Sequence, residues 1–282
     1  MEASAKTVED GLSLLDRVKS LPPLPTVAMK ILRQFGDQFI DGNKVADIIA
    51  QDPVITARLI GLANSAYFAP RVPVTDMRAV VTRVLGTDNV RTLALGLAAG
   101  QLFDVSRCKG FDSSEFWVRS LNTAARCRNL ANAVTGLLDE DRDSAYALGL
   151  CHELGALAYA YLEPELISTL LDEYPEEIDE QLEQHFGVNR SALTCTLSVH
   201  WQMPAVFVRV YSERSGLDKS RMTLLLETAA EADRLTADAD EPWLQQQADR
   251  LGLNVDALAS AIDTSSQELR TVATAKILRF TP

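Results

Sequence analysis

Residues 48–68 read IIAQDPVITARLIGLANSAYF and indicate how the chain folds. Asp52 followed by Pro53 is typical of a helix start, since the carboxylate can cap free amides and proline is tolerated at the first helical position. Apolar residues then recur at Ile55, Leu59 and Leu62, which is the spacing of one helix face. Asn64 and Ser65 can bond neighbouring backbone groups and end the helix. The stretch therefore predicts a capped helix with a defined turn after it.

The same helical spacing extends over nearly the whole chain, and no convincing run alternates with a period of two. We therefore predict an all-α fold of roughly a dozen short helices. Further helix starts are expected at Thr75, Thr87, Ser113 and Asp143. Helix ends or new elements are expected at Gly86, Gly187, Pro164, Pro175, Pro204 and Pro242. Gly96-x-x-x-Gly100 lies within an apolar helix and is expected to allow close helix packing rather than catalysis.

Composition excludes several classes of function. The chain has 282 residues and a formal net charge of −12, which disfavours direct binding to nucleic acid or to an anionic membrane. No apolar run approaches the length of a membrane span, and the first ten residues lack a signal-peptide pattern, so a cytoplasmic location is expected. The four cysteines are widely spaced, which favours reduced thiols over a zinc knuckle or redox pair.

The N-terminal segment contains two predicted parts. Val8–Val18 has amphipathic spacing and predicts a lead-in helix, which Leu21-Pro22-Pro23-Leu24-Pro25 then breaks. The proline-containing stretch is either a ligand for another domain or a rigid strap. In the second case Leu21 and Leu24 would pack on the next helix, Val27–Phe35.

A histidine and an acidic residue stand side by side, inside a predicted apolar helix, in the stretch Gly149-Leu150-Cys151-His152-Glu153-Leu154-Gly155. Imidazole and carboxylate can ligate one divalent cation, but a hydrolytic centre needs further ligands and an open position. A Cys151–His152 nucleophile is disfavoured, because adjacent helical side chains point about 100° apart. The other histidines have structural interpretations: His185 caps a helix end, and His200 packs beside Trp201.

Several of these motifs together resemble the HDOD family, the HD-related output domains of bacterial signalling proteins. The shared frame is Leu21-Pro22-x-Leu24-Pro25, Asp52-Pro53, Leu62-Ala63-Asn64-Ser65, Leu85-Gly86, Trp117-x-x-Ser120, the His152 segment, Trp201-x-x-Pro204 and Ala232-Asp233-x-Leu235. The resemblance implies a lead-in at 1–20 and an HDOD domain at 21–282. Within that domain it implies an N-terminal helical subdomain (21–110), a degenerate HD-like core (111–216) and C-terminal helices that complete the core (217–282).

The resemblance also implies where a metal would bind. Catalytic HD phosphohydrolases use an early histidine, a His-Asp pair and a later aspartate, and here His152, Glu153 and Asp233 match part of that set. The early histidine is missing from Glu115–Val134, which offers Arg119, Ser120 and Asn122 instead. Where later histidines would stand, this chain has Val188-Asn189-Arg190 and the Glu213-Arg214-Ser215 region, and a guanidinium near the site would repel a metal.

We therefore expect no catalytic residues, no bound metal and no cofactor, with His152 and Glu153 as a buried, hydrogen-bonded pair tied to Asp233. Weak binding of Mg²⁺ or a transition metal by those three residues is an alternative. The expected function is a noncatalytic signalling module that binds other signalling proteins, with a ligand between the subdomains as an option. The residues proposed to contact that ligand are Arg58, Asn64 and Arg119.

Two other interpretations stay open at this point. One is a metal-dependent HD-type phosphohydrolase acting on nucleotides or other phosphoesters. The other is that the chain is the output part of a longer response regulator. The tail, with an acidic loop at Ala237–Glu241 and an amphipathic stretch at Gln267–Phe280, packs on the body or offers a partner surface.

Overall fold

The computed structural model describes residue 14 and residues 16–19, 21–34, 41–65, 68–234 and 241–263. Within these ranges the chain is helical and contains no strand, as the all-α prediction requires. The helices are α1 (Thr26–Leu32), α2 (Gly42–Ile49), α3 (Pro53–Ala63), α4 (Met77–Ala79, continued by a π-helical segment, Val80–Leu85), α5 (Thr87–Gly100), α6 (Ser113–Ala133), α7 (Asp139–Cys151), α8 (Leu154–Leu162), α9 (Pro164–Glu173), α10 (Ile178–Phe186), α11 (Arg190–His200), α12 (Ala205–Glu213), α13 (Arg221–Arg234), α14 (Glu241–Leu251) and α15 (255–263).

Helices α1–α5 pack together as an N-terminal group, in which α5 contacts α1, α2 and α3. Asp52 caps α3 as predicted, because its carboxylate accepts hydrogen bonds from the amides of Val54 and Ile55. Ile55 and Leu59 are fully buried on the face that the sequence predicts. Removing these side chains from water is the main term that stabilises such a short helix.

Helices α6 and α7 form the centre of the second group. The loop between them is short, so the two helices run antiparallel, and they contact each other extensively. Their close approach needs Gly149, since a Cβ there would lie 2.6 Å from Ala124 Cα. Helix α13 packs on both of them, and α8 packs on α11.

The two groups meet at an aromatic contact. Phe103, just after α5, lies with its ring centroid 5.9 Å from that of Trp201 and 5.7 Å from that of Tyr161. Gly96 on α5 faces the ring of Trp117 on α6, where an added Cβ would stand 3.4 Å away. Close helix packing is the role that the sequence predicts for this glycine.

Some predicted helix boundaries are wrong by a few residues. The caps are Asp76 rather than Thr75 and Asp112 rather than Ser113, and α7 begins at Asp139, so that Asp143 is inside it. Serine, threonine and aspartate can all accept amide hydrogen bonds, so the sequence alone does not say which one of adjacent candidates is the cap.

Parts of the predicted termini lie outside the described residues. Residues 8–13 of the lead-in, Phe35, residues 237–240 of the acidic loop and Gln267–Phe280 are among these. Residues 14 and 16–19 of the lead-in are helical. In the described ranges, no helix combines the length and apolar character that a membrane crossing requires.

Candidate functional site at the junction of two helices

His152 and Glu153 form the break between α7, which ends at Cys151, and α8, which begins at Leu154. The sequence suggested that the pair lies inside a helix, and this is wrong. Glu153 has φ −115° and ψ 22°, outside the helical region, so the chain changes direction here.

The break lets α11 approach the chain closely. A Cβ at Gly155 would lie only 2.1 Å from the carbonyl oxygen of Arg190, so glycine is needed at this crossing. The hydroxyl of Thr194 on α11 accepts a hydrogen bond from the Gly155 amide (2.9 Å) and lies 3.3 Å from the carbonyl oxygen of His152. Thr194 therefore satisfies backbone groups that the helix break exposes.

The His152 ring is 3% exposed and is held by its own helix. Its Nδ1 lies 2.6 Å from the carbonyl oxygen of Gly149, and since a carbonyl only accepts, Nδ1 is the donor. Nε2 lies 3.9 Å from Oε1 of Glu153, which is too long for a hydrogen bond. Nε2 and Oε1 are therefore not hydrogen-bonded, in contrast to the mutual hydrogen bond that the sequence predicts for this pair.

Two arginines approach the same junction. Arg214, just after α12, donates from Nη1 to the carbonyl oxygen of His152 at 3.1 Å. Burial lowers the pKa of Arg214, and the negative charge of Glu153 opposes that fall. Glu153 also acts to raise the pKa of Arg190. The Glu153 carboxylate thus lies within the electrostatic reach of two guanidinium groups.

Arg190 is fixed by a second carboxylate. It donates to Asp179 through Nε (2.8 Å) and Nη2 (2.7 Å), which is the forked geometry that arginine favours. Burial acts to raise the pKa of Asp179, but the hydrogen bonds and charge of Arg190 outweigh burial, and the net pKa is lowered. Arg190 and Asp179 therefore form a hydrogen-bonded ion pair next to the junction rather than an open set of metal ligands.

The donors at this site do not fit a metal centre. Among the side chains that the structure describes, no three His, Cys, Asp or Glu residues lie close enough together to hold an ion. The guanidinium group of Arg214 bonds the His152 backbone, and its positive charge would repel a metal cation at this junction. Asp233 is on α13, but its side chain lies outside the described part, so its predicted tie to His152 stays a prediction.

Ser120 occupies the place where an early histidine would be expected. Ala124 on α6 lies against Gly149 on α7. Ser120 lies one turn before Ala124, and His152 lies nearly one turn after Gly149. Because the two helices are antiparallel, Ser120 and His152 are on the same side of this contact. Ser120 is 1% exposed, and its hydroxyl makes no hydrogen bond within the described residues. A small hydroxyl cannot reach across the helix pair as an imidazole ligand would.

The predicted ligand-contact residues are distributed over both groups. Arg58 is half-buried on α3, and Arg119 is half-buried on α6. Asn64 uses its side chain structurally: Oδ1 accepts from the Val74 amide (2.8 Å), and Nδ2 donates to the Val74 carbonyl (2.7 Å). This two-way bond fixes the segment after α3, in line with the predicted turn-forming role.

The remaining histidines and Cys151 have the structural roles that the sequence predicts. His185 Nδ1 lies 2.9 Å from the carbonyl oxygen of Gln181, and His200 Nε2 lies 3.1 Å from that of Leu21. Burial raises the pKa of the Cys151 thiol to about 12, so it is not an activated nucleophile at neutral pH.

Sequence reasoning missed Thr194 and Gly155 as the contacts that shape the junction. Neither belongs to a pattern that a single sequence would single out, since a threonine inside a helix commonly bonds its own preceding turn. Thr194 does so as well, to the carbonyl oxygen of Arg190 at 3.0 Å. Its second role depends on where α11 crosses α8, which local spacing does not encode.

Fold and site together define an all-α, HD-related domain whose described ligand set is incomplete. The model of the HDOD domain family matches residues 21–215, and the chain belongs to that family.

Solved structures show the same fold. A provisionally assigned signal transduction protein from Marinobacter aquaeolei VT8 is 22% identical with a TM-score of 0.74, over 99% of this chain and 66% of that one. A provisionally assigned phosphohydrolase from Shewanella amazonensis SB2B is 23% identical with a TM-score of 0.69, over 95% and 98% of the two chains. An HDOD domain protein of unknown function from Geobacter sulfurreducens is 22% identical with a TM-score of 0.68, over 97% and 99%.

One curated relative is an uncharacterized protein from Treponema pallidum (strain Nichols). It is 24% identical over 209 residues, which are 72% of this chain but only 39% of that protein. The chain therefore spans about two fifths of the length of this relative.

Proposed function

We propose that this protein is a noncatalytic signalling or regulatory module that acts through binding to other signalling proteins. The observation that carries the proposal is the position of two arginines at the junction: Arg214 donates to the His152 carbonyl oxygen, and the Arg190 carbonyl oxygen lies against Gly155. Metal-assisted hydrolysis needs a cation with an open coordination position, and a guanidinium that bonds the His152 backbone brings positive charge to the same junction.

The comparisons support a modular role. The HDOD match covers most of the chain, and the Treponema relative carries the similar region within a longer protein. A domain that is joined to different neighbours suits signalling by contact rather than by a dedicated reaction. A cytoplasmic location and a role as the output part of a longer response regulator belong to the same proposal.

A ligand between the two helical groups would modulate such a module. Arg58 and Arg119 are the side chains proposed to contact it, since each is half-buried and always charged. Asn64 is a weaker candidate than the sequence suggests, because its amide group is already bonded to Val74.

Hydrolysis assays test the noncatalytic part of the proposal. The intact chain is incubated with nucleotides and other phosphoesters in the presence of Mg²⁺, Mn²⁺ or Fe²⁺, alongside a His152→Ala variant. We expect both proteins to release phosphate at the same background rate. Turnover by the wild type that His152→Ala abolishes would establish the competing function, a metal-dependent phosphohydrolase.

Binding assays test the other part. A partner recovered with the intact chain should bind equally well in the presence of a chelator, because the proposal assigns no metal to recognition. Truncation at Leu217 is not a suitable control, since Met222, Leu225, Leu226 and Ala229 of α13 are fully buried in the core. Binding that a chelator abolishes would contradict the proposal.

A further inference from the structure

Residues 14, 16–19 and 21–24, which we call the strap, reach the contact between the two helical groups, where Pro22 bonds Trp201. Its apolar side chains are buried: Leu14 is 1% exposed, Val18 0%, Leu21 7% and Leu24 6%. The prolines that follow Leu21 end the helical part and restrict the backbone to an extended path. The strap is thus a packed element of the domain rather than a loose leader.

Four hydrogen bonds between described residues attach the strap to the HD-like core. Arg17 donates to the carboxylate of Glu163 and to the carbonyl oxygen of Leu162, at the step between α8 and α9. At the end of α11, His200 Nε2 bonds the Leu21 carbonyl oxygen and Trp201 Nε1 bonds the Pro22 carbonyl oxygen, each at 3.1 Å. The sequence suggests that the strap packs on the first helix of the N-terminal group. Packing on that helix would not by itself require these contacts with the HD-like core.

Helix α11 connects this attachment to the junction. Trp201 follows its last residue, and Thr194 lies seven residues earlier, about 10 Å along the axis. Thr194 contacts the backbone of His152 and Gly155. One rigid helix therefore bonds the strap at its end and the junction at its middle.

We propose that the strap is a regulatory element that couples events N-terminal to Leu14 to the His152–Glu153 junction through α11. When the strap is seated, the end of α11 is fixed and Thr194 holds the junction closed. When a binding event pulls the strap away, α11 loses two hydrogen bonds at its end and the junction loosens. The inference adds a control route to the proposed function and does not depend on it.

Hydrogen exchange measured by mass spectrometry on the intact chain tests the coupling. Arg17→Ala removes the attachment to Glu163 and Leu162, and Lys19→Ala is the matched control, because Lys19 is an exposed cation of the same segment that pairs only locally with Asp16. In Arg17→Ala we expect exchange to rise roughly 10-fold in peptides covering 16–24, 194–201 and 149–156, since a charge-assisted anchor is lost. Lys19→Ala should match the wild type in all three.

Each other outcome overturns the proposal. If exchange rises in residues 16–24 of Arg17→Ala but not in 149–156, the strap is seated without being coupled to the junction. If Arg17→Ala does not change exchange in 16–24, Arg17 does not hold the strap. If Lys19→Ala reproduces the full effect, the response comes from general charge loss. None of these results bears on metal binding or hydrolysis, so failure here leaves the proposed function standing.

Discussion

At the residue scale, His152 shows that the role of a side chain depends on the residues around it. A metal ligand needs a free lone pair aimed at an ion, together with further ligands around the same ion. Nδ1 of His152 donates to the Gly149 carbonyl oxygen and leaves Nε2 as an acceptor, but no three ligand side chains lie together among the described residues, and Arg214 bonds the adjacent carbonyl oxygen. The residues that mark HD ancestry in the sequence therefore act in this structure as a joint between two helices.

Replacing Gly155 by alanine tests the crossing that creates this joint. The new Cβ would overlap the Arg190 carbonyl oxygen, so α11 must move, and we expect a loss of about 3 kcal/mol in the free energy of unfolding. Gly61→Ala is the control, since nothing lies within 4 Å of its Cβ and alanine favours an exposed helix by about 0.5–1 kcal/mol. Equal stabilities of the two variants by urea denaturation would show that α11 does not cross here.

The Asp179–Arg190 pair predicts a pH dependence at the same scale. The pKa of Asp179 is lower in the folded protein than in the unfolded chain, so the pair stabilises the fold above the unfolded pKa, which is about 3.9. That stabilisation is lost as the pH falls through the lower folded pKa. We expect Asp179→Asn to lower the melting temperature at pH 7 and to differ progressively less from wild type below about pH 4. A difference that grows on acidification would contradict this assignment.

At the scale of single helices, the sequence predicts that a helix is present but does not fix which residue caps its start. The sequence places a start at Ser113, whereas Asp112 accepts hydrogen bonds from the amides of Ser114 and Glu115. The helix itself is predictable from its apolar spacing. The cap is not, because either neighbour has the required oxygen and the entry angle of the chain selects one.

Two substitutions distinguish these caps. Asp112→Ala should lower the free energy of unfolding by about 1 kcal/mol, because two amides of the long helix α6 lose their acceptor. Ser113→Ala should change it by less than about 0.5 kcal/mol. Thermal or urea unfolding of both variants gives the comparison, and a larger effect at Ser113 would refute the observed cap.

At the scale of the whole molecule, local patterns predict the helices but not how distant ones meet. The all-α fold, the capped helix at Asp52 and the packing glycine Gly96 follow from spacing and residue chemistry. The aromatic contact of Phe103 with Trp201 and the crossing of Thr194 over Gly155 do not, because they join residues 39 or more positions apart. The resemblance to HDOD proteins indicates the ancestry of the site, and only the packing shows that Arg214 bonds the His152 backbone.

At the same scale, we propose that this HD-related site does not hold a catalytic metal. The most direct test is the metal content of the intact chain, purified without chelators from metal-supplemented medium and measured by inductively coupled plasma mass spectrometry. His152→Ala, checked for a native circular dichroism spectrum, is measured in parallel. We expect far less than one transition metal per chain and no difference in metal content between the two proteins. Near-stoichiometric metal in the wild type that is lost in His152→Ala would contradict it.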